Sequence, residues 1–119
     1  MIHRITIPDF RFVTLNEMNS AKHWGKRARL KQRDREFVWA YSKQQDTPQA
    51  TGKRRVSLEI TLRGRGQVTD PDALWKSCND ALVLCDMLVD DSAKWCELGT
   101  VTHVCGEECQ TVIILEDLP

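Results

Sequence analysis

The chain has no run of eighteen apolar residues, so it offers no ordinary membrane-spanning helix. Its first residues, MIHRITIPDF, lack the charged-then-apolar plan of a signal peptide, and the expectation is a cytoplasmic protein. An even-numbered disulfide framework is also missing, because five cysteines leave one over. Cys78 and Cys85 fall in an apolar helical pattern and are expected as buried thiols. A structural zinc site usually has two tight cysteine pairs. The only close pair here is Cys105 and Cys109, near His103 and flanking an expected turn, which fits structural or incidental cysteine better than zinc. Internal repeats and low-complexity segments are absent too.

Net charge is zero as well, with 17 Lys and Arg against 17 Asp and Glu, but that balance hides a division. Residues 1–65 hold fifteen basic side chains against six acidic ones, and residues 66–119 hold two against eleven. Such asymmetry points to a polyanionic partner. The plain alternative is that the two halves neutralise each other in the fold.

At 119 residues the chain fits one domain, 1–119, with a single modest core. Ile2 to Ile7 alternates branched and polar residues and reads as a strand. Residues 10–20 read as irregular, with Asn16 and Asn19 as turn formers. From Ala21 to Gln44 the pattern is helical: Leu30, Phe37, Val38 and Tyr41 make an apolar stripe, and Lys22, Lys26, Arg29 and Arg33 a basic face. A loop over 45–53 precedes a strand over 55–62, with Val56, Leu58, Ile60 and Leu62 on one face. A second helix is expected over 71–86. Two closing strands, 95–104 and 110–115, are expected to form a hairpin through Cys105-Gly106-Glu107-Glu108. The order strand, helix, strand, helix, strand, strand predicts an α+β fold, a small mixed β-sheet packed with two helices.

Two acidic pairs bracket the second helix: Asp70-Pro71-Asp72 and, eighteen residues after Asp72, Asp90-Asp91. Local rules alone explain the first pair. Proline suits the first helical position, Asp70 suits the N-cap, and Asp72 suits the positive end of the helix dipole. The wider pattern adds chemistry. Leu74, Cys78, Ala81, Leu82 and Cys85 share a buried face, whereas Asp72, Lys76, Asn79 and Asp80 lie away from it. Asp72 and Lys76 are four apart and neighbours on the helix surface. Magnesium takes hard oxygen ligands, so converging carboxylates fit it, with manganese as a substitute. A helix of sixteen residues is roughly 24 Å long, so the chain must double back before Asp91 can meet Asp70. A second subunit is the other way to close the site.

Asp70-x-Asp72, Lys76, Asp80-Ala81-Leu82 and Asp90-Asp91, at these spacings, resemble the RusA family of Holliday-junction resolvases. The amino-terminal part is similar more loosely, at Leu15-Asn16, His23-Trp24 and Lys26-Arg27-Ala28-Arg29. Ala73 departs from the pattern, standing where the family usually has Asn, and Val13-Thr14 stands where it has Pro-Pro. The resemblance implies a homodimeric, magnesium-dependent endonuclease that cuts four-way DNA junctions. Asp70, Asp72 and Asp91 would hold metal, with Asp90 sharing or orienting, and Lys76 would sit near the phosphate. No membrane and no small organic cofactor are expected. The alternative is a non-catalytic junction-binding module that kept the fold.

Phosphate contacts dominate nucleic-acid affinity. The DNA-binding set is therefore read as Asn16, Lys22, Lys26, Arg27, Arg29 and Arg33, with Arg63 and Arg65 just ahead of Asp70. A solvated amphipathic helix is the other account of the same charges. No base-reading element is evident, so branched structure is the expected target. Trp24 fits a core or interface position better than a base-stacking one.

Overall fold

Four strands and two helices form in the expected order, as β1 (Ile2–Pro8), α1 (Trp24–Gln44), β2 (Arg54–Arg63), α2 (Pro71–Leu84), β3 (Cys96–Gly106) and β4 (Gln110–Asp117). They are seen in a computed structural model that describes residues 1–12, 24–63 and 71–119, without the side chains of Trp24, Arg63, Pro71, Asp72 and Ala73. Among the described residues, no helix is long and apolar enough to cross a membrane.

Alternation sets the sheet's inner face, because successive strand side chains point to opposite sides. Ile5 and Ile7 of β1, Val56, Leu58 and Ile60 of β2, and Ile113 and Leu115 of β4 are all buried in one cluster. Val38 of α1 and Leu74, Cys78, Ala81 and Leu82 of α2 complete it from the other side. Truncating one of these, as in Leu58→Ala, would cost about 2–5 kcal/mol. The expected stripe on α1 does face inward, with Val38 buried and Leu30, Phe37 and Tyr41 half-buried. Phe10 and Phe12, in the stretch expected to be irregular, are also core residues: their rings meet edge-on at 5.0 Å, and Phe10 lies 4.9 Å from Phe37.

The sheet order is β1-β4-β2-β3, a mixed sheet in which β2 and β3 run parallel and β4 is antiparallel to both β1 and β2. This corrects the expected hairpin: β3 and β4 follow each other in sequence but do not pair. Instead, residues 107–109 carry the chain past the end of β2, so that the two closing strands flank it. Gly106, opposite Arg63, makes the close approach possible, since a Cβ there would lie 2.5 Å from the Thr61 methyl group. In the same way Cys105 and Cys109 fall on either side of β2, two strand spacings or about 9.6 Å apart. That exceeds the reach of a disulfide, about 7 Å between Cα atoms, and both thiols are free.

Both helices end in the same device. After α1, the amide of Asp46 donates to the Lys43 carbonyl and that of Thr47 to the Ser42 carbonyl; after α2, Asp86 donates to Val83 and Met87 to Leu82. Asp46 and Asp86 take left-handed backbone, with φ of 53° and 61°. These are Schellman endings with aspartate where glycine is usual. The second one turns the chain sharply back after α2, and that turn positions the acidic pair that follows.

Candidate metal centre and basic surface

Pro71 opens α2, as a proline suited to the first helical position should. Asp72 therefore sits in the first turn by its backbone, although its side chain is not among those described. Asp70 lies outside the described residues, so the full ligand set can be placed only in part. Asp90 and Asp91 are both exposed, on the connection between α2 and β3. Next to them the Ser92 carbonyl accepts from the amides of Trp95 (3.0 Å) and Cys96 (2.9 Å), a tight turn that swings the chain onto β3.

This return matters for the site. Burial raises the pKa of Cys96, and the charge of Asp91 raises it further. Burial likewise raises that of Cys78, with Cys96 and then Asp34 adding to it. Asp91 thus acts on Cys96 and Cys96 on Cys78, and both thiols belong to the core cluster, so the start of β3 lies in the same electrostatic neighbourhood as the middle of α2. Cys78 is six residues from Asp72, about 9 Å along the helix. Among the described residues, no group of three His, Cys, Asp or Glu side chains could hold a metal, which also leaves His103, Cys105 and Cys109 without a zinc arrangement.

Lys76 is exposed, and its Nζ lies 3.4 Å from Asp80 Oδ1, one turn away. A surface pair at that distance is worth less than about 0.5 kcal/mol, so the ammonium is available to a phosphate. Asn79, read as facing away from the core, is in fact buried, and its Oδ1 has no hydrogen-bond partner among the described residues. It stands two turns after Asp72 and one after Lys76. A buried amide oxygen without a donor normally costs about 1–3 kcal/mol. The donor chemistry on this helix, carboxylates and an amide oxygen, is the hard-oxygen kind that magnesium takes.

The basic surface is divided. Lys26, Arg27 and Arg29 are exposed on the first turns of α1. Arg33, one turn on, is exposed too but tied to the fold: it donates to the Arg11 carbonyl at 3.0 Å and to Asp34 Oδ1 at 3.1 Å, and lies 5.7 Å from the Phe10 ring. It ties the chain leaving β1 to the helix and neutralises Asp34, a carboxylate only 1% exposed. Arg63 ends β2, with its side chain among those not described. Lys22, Asn16 and Arg65 lie outside the described residues.

Sequence reading missed Arg54. Its side chain is buried and donates to Asp117 at 2.7 Å, to the Met87 carbonyl at 3.0 Å and to the Pro48 carbonyl at 3.0 Å. One guanidinium thereby joins the loop after α1, the turn after α2 and the last strand. The signal was present: Arg54 has the same parity along β2 as Val56, Leu58 and Ile60, the inward positions.

No protein-family model matches the chain, and no curated protein matches it.

Proposed function

We propose that the protein is a magnesium-dependent endonuclease acting on four-way DNA junctions as a homodimer. The observation that supports this reading best is that α2, which opens at Pro71-Asp72 and carries exposed Lys76, ends in a sharp turn at Asp86 that leads directly to the exposed pair Asp90-Asp91. Asp70, Asp72 and Asp91 would hold the metal, with Asp90 beside them. Bound there, magnesium would activate water and offset charge on the phosphoryl group. Lys76 would hold the scissile phosphate. Lys26, Arg27 and Arg29 would grip the backbone and present the junction.

The test is cleavage of a synthetic four-way junction against a linear duplex, with and without magnesium. Magnesium-dependent nicking of the junction is expected, falling at least about a hundredfold in Asp72→Asn and Asp91→Asn while junction binding survives. If both variants cut like wild type, the site assignment is wrong. A second reading has its own observation, Ala73 in place of the family's Asn: a junction-binding module without cleavage. Binding with no nicking under magnesium or manganese would favour that module.

A further inference from the structure

Trp39 is 56% exposed, on the solvent side of α1. Tryptophan is usually one of the most buried residues on average. Here the indole is left in water although its neighbours on the helix, Val38 and Ser42, are buried. Arg35 stands one turn before it and Lys43 one turn after, both exposed, and residues four apart on a helix are neighbours. The end of α2 meets α1 at this point, because the Cys85 thiol donates to the Arg35 carbonyl at 3.4 Å. Leu84, next to Cys85, is 59% exposed.

We propose that Trp39, framed by Arg35 and Lys43, is a stacking platform for an unpaired base of single-stranded or branched DNA. The choice of occupant follows from charge and size. Two cations around one aromatic ring complement a polyanion that carries flat bases. The same strip holds Gln32 hydrogen-bonded to Glu36 at 3.0 Å, polar neighbours that do not suit a large apolar protein interface. The idea rests on the nucleic-acid reading above but not on catalysis, so it is tested with magnesium chelated.

The experiment measures binding of a short thymidine oligonucleotide and of a blunt duplex of equal length, in EDTA at low salt. Trp39→Ala is expected to weaken oligonucleotide binding by about ten- to a hundredfold and to leave duplex binding within about twofold. Trp39→Phe should retain most of the affinity, and Arg35→Ala with Lys43→Ala should weaken both ligands and flatten the salt dependence. Unchanged melting temperatures show that the variants fold. Equal loss on oligonucleotide and duplex would overturn the proposal, as would no loss on either. Binding to phosphatidylserine vesicles that depends on Trp39, with the oligonucleotide unaffected, would overturn it in favour of a membrane. Failure of junction cleavage alone leaves these binding outcomes intact and counts against the nuclease reading only.

Discussion

The arginines of β2 and the cations of α1 belong to the same basic half of the chain and meet opposite fates. Arg54 is buried and clamped to Asp117, while Arg55 bridges Glu97 at 2.8 Å and Glu116 at 2.7 Å on the uncovered face of the sheet. Burden of charge is thus cancelled between the two halves where the strands bring them together. Lys26, Arg29, Arg35 and Lys43 remain exposed along α1. Of the two explanations of the charge asymmetry, internal neutralisation therefore holds in the sheet, and the exposed cations of α1 are those left for the proposed polyanion partner. A residue count by halves cannot separate them, whereas strand register can.

The sharpest way to break this contrast is Arg54→Ala. It removes the guanidinium that satisfies the Met87 and Pro48 carbonyls and leaves a gap beside the core, so a loss of about 3 kcal/mol is expected. The urea midpoint should fall with an unchanged slope. Arg54→Lys should recover little, because an ammonium cannot reproduce the fork that reaches three acceptors at once.

Arg33→Ala comes next, at about 1–3 kcal/mol, since it deprives buried Asp34 of a cationic partner and releases the Arg11 carbonyl. If Arg33 were instead a free phosphate-gripping residue, the same variant would lose DNA affinity and keep its stability. Smaller still is the effect of Lys26→Ala with Arg29→Ala. Stability should stay within about 0.5 kcal/mol of wild type, while the salt slope of DNA binding drops by about two. Urea denaturation and binding measured over a salt series separate the three cases.

The elements themselves were legible because their periods are local. Val56 to Leu62 alternates, Leu74 to Cys85 repeats at helical spacing, and both patterns proved to be the buried faces. What was hidden depends on distant partners. Nothing in the three residues between β3 and β4 says that they step past β2 rather than turn back in a hairpin. Asp34 sits four residues from both Leu30 and Val38, inside the apolar stripe, and nothing local marks this charge as buried. Phe10 and Phe12 follow Asp9, whose backbone is left-handed (φ 50°), so no strand or helix period announces them. Of the candidate site, Lys76 and the Asp90-Asp91 pair were singled out from spacing, and either a doubling back after α2 or a second subunit was named as the way to close it. The aspartate-ended Schellman turn at Asp86 was not anticipated, because glycine is the usual marker of that geometry.

The finest test of the contrast is acid titration of the sheet's central ion pair. Hydrogen bonds from Arg54 and then His3 hold the Asp117 carboxyl below the ordinary carboxylate range. A carboxyl with a depressed pKa in the folded protein favours folding when ionised, so its contribution is complete above the unfolded value near 3.9 and disappears as pH falls through the folded one. With its side chain 43% exposed, solvent screens the pair, and the effect should be modest. Comparing urea midpoints of wild type and Asp117→Asn, the difference should be constant at neutral pH and close below about pH 4. If it persists unchanged into acid, the charge on Asp117 contributes nothing and the clamp at Arg54 is held by its carbonyl partners alone. The exposed cations of α1 supply the control: Lys26→Ala with Arg29→Ala should leave the acid limb of the curve where it is in wild type, because among the described residues no carboxylate of the acidic half forms an ion pair with them.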